Sequence, residues 1–209
     1  MKKIYLLFSL IVIVNLSFAQ EALVKISPFH FVDGTFYTTY ERALKNNNSF
    51  TLSGGYHLTE NGDEYGWMGE LQIRKYVVKP KINSSSESPL SGIYAGLYAN
   101  GKYFLEHYEW FRENWEVEPY YNENGQYQQG TGYSYDLIDQ EYDIKQIEAG
   151  VVMGIQMIFS DNFSLDFFLG GGLRSSKIDN KPTNVEFYSP DRGYTGIVPK
   201  IGFEVGLAL

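Results

Sequence analysis

The last ten residues alternate strictly between apolar and polar or small side chains, and this pattern restricts the fold more than any other stretch. One face of a strand here would carry Ile201, Phe203, Val205, Leu207 and Leu209. The other face would carry Lys200, Gly202, Glu204, Gly206 and Ala208. Side chains alternate between the two faces of a strand. An unbroken apolar face opposite charged and small residues is typical of a strand with lipid on one side and a polar lumen on the other.

The same alternation recurs along the chain, whereas amphipathic helical periodicity is not evident after the N-terminal segment. The predicted strands are residues 22–31, 35–44, 49–58, 67–78, 91–107, 142–159, 163–174 and a final strand that ends at Leu209. Eight is the smallest even strand number of outer-membrane barrels, and the two longest connections, 109–138 and 175–196, fall at the same end. The sequence therefore predicts an all-β fold, an eight-stranded antiparallel up-and-down transmembrane β-barrel.

The N-terminal segment has the features of a secretory signal peptide. Lys2 and Lys3 precede an apolar run over residues 4–16, and Ser17-Phe18-Ala19 places small residues before a cleavage site between Ala19 and Gln20. The apolar run is shorter than the ~20 residues that a membrane-spanning helix needs. We therefore predict a signal peptide over residues 1–19, an outer-membrane β-barrel domain over residues 20–209, and an outer-membrane location.

Composition excludes several classes of function. The formal net charge is -8, which argues against a nucleic-acid partner because such partners require a basic face. Cysteine is absent, which excludes disulfides, thiol catalysis and cysteine metal sites. Aromatic residues make up 17% of the chain, a content that suits the interfacial girdles of a membrane barrel. We expect outer-membrane lipid as the surroundings, a monomer, and no cofactor.

Several segments resemble a family of small uncharacterised Gram-negative outer-membrane barrels, a family of unknown function with an architecture like that of OmpA and OmpX. The segments are Ile26-Ser27-Pro28, residues 39–44, Gly154-Ile155-Gln156, residues 163–172 and Pro199-Lys200-Ile201-Gly202. The resemblance implies the barrel fold and the outer membrane, and supplies no activity. It also implies that the last strand is a signal for the outer-membrane assembly machinery. That signal normally ends in an aromatic residue, whereas this chain ends in Leu209.

The faces predicted to point inward carry many charged side chains. They are Lys25, Glu41, Glu70, Arg74, Lys102, Glu106, Glu148, Asp166, Arg174, Lys200 and Glu204. Five basic and six acidic groups nearly cancel, and an eight-stranded barrel is just wide enough for its side chains to fill it. Confined charges must pair or stay hydrated. A structural ion-pair network is the interpretation we favour, and a narrow channel or proton path is the alternative.

The three histidines, His30, His57 and His107, carry no metal or catalytic signature. His57 shares a face with Ser53, but residues four apart on a strand are separated by roughly 13 Å, too far for a direct hydrogen bond. We therefore predict that the protein is not an enzyme and has no metal site. The alternatives are a membrane-embedded lipid hydrolase or acylase and a secreted calycin-like barrel that binds an apolar ligand.

The region 109–138 is rich in aromatic and acidic residues and is the candidate for a specific surface interaction. Its aromatic members include Trp110, Phe111, Trp115, Tyr120 and Tyr121. A second interpretation is a hairpin that extends the barrel wall, with aromatic side chains packing across its strands. The predicted function is thus structural or surface-interacting, with an extracellular ligand that the sequence does not specify.

Overall fold

The computed structural model describes residues 22–59, 64–78, 88–114, 120–121, 123–128, 134–159, 162–181, 186–189 and 191–209. The predicted signal peptide and its cleavage site lie outside these residues. In chain order the strands are β1 (Ala22–Ile26), β2 (Thr35–Leu44), β3 (Asn48–Leu58), β4 (Tyr65–Val78), β5 (Gly92–Asn114), β6 (Tyr120–Tyr121), β7 (Tyr127–Gln128), β8 (Ser134–Phe159), β9 (Phe163–Asp179) and β10 (Gly196–Ala208). One short helix, α1 (Pro28–Phe31), follows β1.

Eight of the described strands close into an antiparallel barrel, which confirms the predicted fold class. Each of these strands pairs with the next along the chain, except that β5 pairs with β8, and β10 closes the ring against β1. The pair β6–β7 forms a separate two-stranded hairpin within the β5–β8 connection. We call the end of the barrel with the β2–β3 and β8–β9 turns the turn end, and the opposite end the hairpin end.

The side chains follow the predicted faces closely. On β8, Val151 and Met153 are exposed on the outside, whereas Val152 between them is buried. On β4, Ile73 is exposed, and Arg74 beside it is fully buried. The period of two therefore separates an apolar outer surface from a polar interior around the ring.

The first strand is shorter than predicted. Residues 22–31 were expected to form one strand, but β1 ends at Ile26 and the chain turns into α1. Pro28 explains the difference, because proline cannot donate to a strand ladder and is well accommodated in the first turn of a helix. On the hairpin-end side of Ile26, β10 therefore has no β1 neighbour in the barrel wall.

Three other strands are longer than predicted. Strands β5 and β8 stay in register from Gly92↔Gln156 to Asn114↔Ser134, well into the region 109–138 that was predicted as a connection. Strand β9 continues to Asp179, into the predicted loop 175–196. The sequence of these extensions has polar residues at both sets of alternate positions, so the apolar alternation that marks a strand in lipid is absent there. Of the two interpretations of the region 109–138, its described backbone therefore supports the one in which a hairpin extends the barrel wall.

The glycines in residues 170–172 allow close packing of the wall. A Cβ atom at Gly170 would collide with the backbone carbonyl of Val151 on β8. At Gly172 a Cβ atom would lie 2.5 Å from the hydroxyl of the inward Tyr98. Glycine at these positions therefore leaves room for large aromatic side chains inside a narrow barrel.

Candidate functional site in the barrel interior

A cluster of fully buried charges lies toward the turn end. The Lys25 ammonium lies 2.7 Å from Asp166, 2.9 Å from Glu41 and 3.1 Å from Glu204. The Arg74 guanidinium lies 2.7 Å from Asp166 and 3.3 Å from Glu41. These five groups come from five strands, so the cluster ties β1, β2, β4, β9 and β10 together. We call it the inner cluster.

Neutral side chains complete the hydrogen bonding of the inner cluster. Tyr76 donates to Glu41 at 2.8 Å, and Tyr94 donates to Asp166 at 2.8 Å. Gln156 accepts a hydrogen bond from Lys25 at 2.9 Å. The rings of Tyr76 and Tyr94 lie 5.5 Å apart and fill the section of the barrel between the charges. Buried charges that are paired and hydrogen-bonded in this way are tolerated, whereas an unpaired one would be very costly.

A second group of charges lies nearer the hairpin end. Lys200 lies 2.6 Å from Glu70, and Arg174 lies 2.9 Å from Glu148. Lys102 is less closely held, with Glu148 as its nearest carboxylate at 3.9 Å. Apart from Glu106, the predicted interior residues therefore lie in two groups of ion pairs, which Gln72 joins by accepting a hydrogen bond from Arg74 at 2.8 Å and donating one to Glu70 at 2.6 Å. We call this second group the outer cluster.

The hairpin end contains a residue that the sequence analysis missed. Arg192, from the β9–β10 connection, lies 3.0 Å from Glu106, and its guanidinium stacks 4.5 Å from the ring centre of Phe104. Its other nitrogen lies 3.2 Å from the His57 ring. The sequence signal was the imbalance of five basic against six acidic inward groups, which required one more cation from a loop.

His57 is held by contacts that do not resemble a catalytic triad. Its Nδ1 atom lies 3.0 Å from the Thr35 hydroxyl, which itself donates to Asp33 at 3.2 Å. The Ser53 hydroxyl instead lies 2.8 Å from the Thr39 hydroxyl. In a triad the imidazole lies between the nucleophile and the acid, whereas here a hydroxyl lies between the imidazole and the acid. Within the described residues, no group of three or more His, Asp or Glu side chains could hold a metal ion.

The mouth of the barrel is expected to be sensitive to acid. Burial and the positive charge of Arg192 lower the pKa of His57, while Asp33, Glu64 and Glu106 oppose this. Above the ordinary histidine pKa the ring is neutral in both folded and unfolded chains. As the pH falls below that value, the unfolded chain binds a proton at His57 before the folded chain does. The folded state, in which His57 contacts Arg192, is therefore progressively destabilised relative to the unfolded state.

An NMR titration of the histidine rings in neutral detergent tests this electrostatic coupling. We expect His57 to titrate below the ordinary histidine range, and Arg192→Gln to move its midpoint upward. The signal of His107, which lies on the outer face of the hairpin, should not move in the same variant and serves as the control. An unchanged His57 midpoint in Arg192→Gln would contradict the assigned contact.

A cavity of about 470 Å³ lies beside the outer cluster. Its wall includes the charged residues Glu70, Lys102, Glu148, Arg174, Lys200 and Glu204. Phe29, His30 and Asp33, from α1 and the turn that follows it, border it on one side. The barrel interior is therefore filled toward the turn end and leaves room beside the outer cluster.

The structure describes the positions of some, but not all, residues of the predicted surface site. Tyr121 and Tyr127 are exposed and meet edge to face across the β6–β7 hairpin, with ring centres 5.5 Å apart. The backbones of Trp110 and Phe111 belong to β5, opposite Ile138 and Leu137 of β8, and Tyr120 begins β6. The side chains of these three residues, and the whole of Trp115, lie outside the described part of the protein.

The comparisons with known proteins match the chain to a family of unknown function. The family described as "Protein of unknown function (DUF3575)" matches residues 4–187. The chain belongs to the DUF3575 family. No curated protein matches this DUF3575 chain in sequence. Among solved structures, the N-terminal β-barrel domain of Pseudomonas aeruginosa OprF is similar, with 12% identity and a TM-score of 0.39 over 91% of this chain and 98% of that one.

Among the described residues, no helix is long and apolar enough to cross a membrane.

Proposed function

We propose that the protein is an outer-membrane β-barrel with a structural or surface-interaction role. The observation that carries this proposal is the closed ring of exposed apolar side chains around an interior of buried charges. Examples on the outer face are Leu71, Leu97, Met153, Leu169 and Ile201. A surface of this kind is unfavourable in water and is stabilised by lipid.

Aromatic side chains at both borders of the apolar surface support a membrane setting. Toward the hairpin end, Phe36, Tyr56, Trp67 and Tyr103 are outward residues at directly paired positions on four neighbouring strands. The next outward residue in that row is the charged Lys145 of β8, so the aromatic row ends at β5. Toward the turn end, Phe159 pairs with Phe163. Aromatic girdles at the two interfaces are a feature of transmembrane barrels.

The long β5–β8 hairpin gives the proposed orientation. Outer-membrane barrels have short turns on the periplasmic side and longer loops outside, so the hairpin end would face the cell exterior. The exposed pair Tyr121 and Tyr127 would then be available to an extracellular partner, since aromatic side chains are enriched at binding surfaces. The exported chain would lose residues 1–19, reach the membrane through the assembly machinery and remain a monomer.

The alternatives receive less support from the geometry. A calycin-like barrel would place apolar side chains inside, whereas this interior contains Lys25, Arg74 and Asp166. A hydrolase would need a base beside a nucleophile, and the described contacts of His57 lack that order. We therefore propose a non-enzymatic role without a cofactor or a nucleic-acid partner.

Cell fractionation tests the proposed location, and protease treatment of intact cells tests the orientation. After expression in a Gram-negative host, the protein should remain in the membrane pellet through carbonate extraction. Protease added to intact cells should cut the β5–β8 connection and leave the β2–β3 turn uncut. Recovery as a soluble periplasmic monomer would overturn the membrane proposal, and cleavage confined to the turn end would reverse the orientation.

A further inference from the structure

The barrel wall has a gap on one side of β10. This strand pairs with β9 from Gly196 to Leu207, but in the described chain its pairing with β1 runs from Ala208 to Val205. Beyond Ile26 the neighbour of β10 is α1, and the Ser27 hydroxyl donates to the Phe203 carbonyl at 3.3 Å. Pro199 lies in the stretch that pairs with β9 but not with β1, so one edge of the strand there needs no N–H donor.

The cavity beside the outer cluster borders this gap. Pro199, Lys200 and Ile201, three consecutive residues of β10, line it, and Phe29 of α1 lines it as well. Phe29 is 60% exposed and Ile201 is 69% exposed, so both also belong to the outer apolar surface. A path therefore leads from the outer surface, between α1 and β10, to the charged interior. The cavity volume of about 470 Å³ lies in the usual range for small-molecule sites.

Lys102 is the least closely paired of the three lysine and arginine side chains on the cavity wall. Lys200 and Arg174 are matched by Glu70 and Glu148 at 2.6 and 2.9 Å. Lys102 shares Glu148 at 3.9 Å, which is longer than a hydrogen bond and leaves its ammonium protons available to a ligand. The cavity therefore offers an incompletely paired cation.

The two remaining carboxylates on the cavity wall are occupied elsewhere. Glu204 accepts a hydrogen bond from Thr39 at 2.8 Å and lies 3.1 Å from Lys25. Asp33 lies at the mouth, where the Thr35 hydroxyl donates to it at 3.2 Å. Neither carboxylate lies within ion-pair distance of Lys102, whose described ion pair is the one with Glu148.

An unpaired polar atom points to a ligand independently of the charge. Asn100 is more than nine-tenths buried and lines the cavity. Its amide nitrogen donates to Glu70 at 3.1 Å, but its Oδ1 atom has no hydrogen-bond partner. Buried polar atoms normally have partners, so this acceptor indicates that a ligand in the cavity would place a hydrogen-bond donor, such as the protonated oxygen of a phosphate monoester, beside Asn100.

We propose that this cavity binds a single-chain amphiphile with a negatively charged head group. The charged oxygens of the head group lie against the Lys102 ammonium, and a protonated oxygen, where the head group has one, donates to Asn100 Oδ1. The hydrocarbon chain passes between α1 and β10, along Phe29 and Ile201, to the outer apolar surface. A single-chain amphiphile matches both the charged end and the apolar end of the path, whereas a fully water-soluble anion would leave the apolar end unoccupied.

Binding of matched twelve-carbon probes tests the proposal. The full mature chain, folded in a neutral detergent, is titrated with dodecanoate, dodecyl phosphate and dodecyltrimethylammonium, and complexes are counted by native mass spectrometry. We expect a 1:1 complex with an anionic probe and none with the cationic probe. Preference for dodecanoate would indicate a fatty acid, and preference for dodecyl phosphate a phospholipid-derived ligand. Equal binding of the cationic probe would overturn the proposal.

Variants then locate the site. Lys102→Met should weaken binding of the anionic probe about tenfold or more, because a hydrogen bond to a charged group is lost, and Lys102→Arg should restore it. Lys145→Met removes a lysine that lies on the outer face, paired with Asp179 at 2.7 Å, and should bind as the wild type does. Phe29→Ala should weaken binding without changing the preference for negative charge.

Folding of each variant is checked by its shifted mobility in unheated gels. A folded Lys102→Met protein that binds the anionic probe within twofold of the wild type would refute the assigned head-group site. Should that variant fail to fold, the comparison of anionic and cationic probes on the wild-type protein still decides the question.

Discussion

Replacing Lys25 by methionine should lower the free energy of unfolding of the barrel by about 3–5 kcal/mol, the cost of breaking a buried ion pair. Methionine fills a similar volume, so the loss comes from charge rather than from a cavity. The variant leaves Glu41, Asp166 and Glu204 with Arg74 as the remaining cation of the inner cluster. Three buried carboxylates around one guanidinium repel each other in a medium that screens them poorly.

Urea titrations in lipid vesicles or detergent, with folding followed by gel mobility, measure this loss. The matched control is Lys145→Met, which removes a lysine from an exposed pair with Asp179 and should change stability by less than about 1 kcal/mol. Adding Glu41→Gln to Lys25→Met should recover part of the lost stability, because one uncompensated charge is removed. Equal effects of Lys25→Met and Lys145→Met would show that the inner cluster does not stabilise the fold.

Arginine in place of Met153 should destabilise the membrane-inserted barrel by about 2–4 kcal/mol, the cost of a cation on the lipid face near the bilayer midplane. Met153 lies halfway along the outward apolar residues of β8, which extend from Ile147 to Phe159. Met157 lies on the same face of the same strand and closer to the turn end. The cost falls toward the interface, so Met157→Arg should be less destabilising.

Folding of both variants into lipid vesicles of the same bilayer thickness measures their two losses of stability under the same conditions. The comparison needs no correction for side-chain size, since both variants replace methionine by arginine on one strand. A smaller cost for Met153→Arg than for Met157→Arg would place the bilayer midplane elsewhere on the barrel. Equal and negligible costs for both would indicate that this face does not contact lipid at all.

The faces of the strands could be predicted because their signal is local. Arg74 and Ile73 are adjacent in sequence, and the alternation alone assigns one inward and the other outward. The pairing inside the barrel could not be predicted in the same way. Whether Asp166 meets Lys25, Arg74 or Lys200 depends on strand tilt and register around the whole ring, which no short pattern encodes.

The differences between the predicted and the observed elements also have specific physical reasons. Pro28 is unsuitable for a strand ladder, yet the exit of the chain into a helix depends on space beside β10 that the sequence does not reveal. The sequence of β5 and β8 beyond Glu109 and Asp139 does not alternate between apolar and polar residues, so no pattern marks these extensions as strands. Arg192 lies in a connection, where no periodicity indicates which way a side chain points.

The closure of β1 against β10 has a consequence for how the barrel assembles. Leu23 pairs with Ala208, so the two strands that close the ring lie far apart in the sequence. Such a contact forms late, because joining distant segments costs more loop entropy than forming neighbouring hairpins. Lys25 meets Glu41 on the neighbouring strand β2, whereas its other carboxylate partners, Asp166 and Glu204, lie on β9 and β10 across the closing seam. Until the ring closes, Asp166 and Glu204 lack their ammonium partner, so the step that closes the barrel also neutralises charge in its interior.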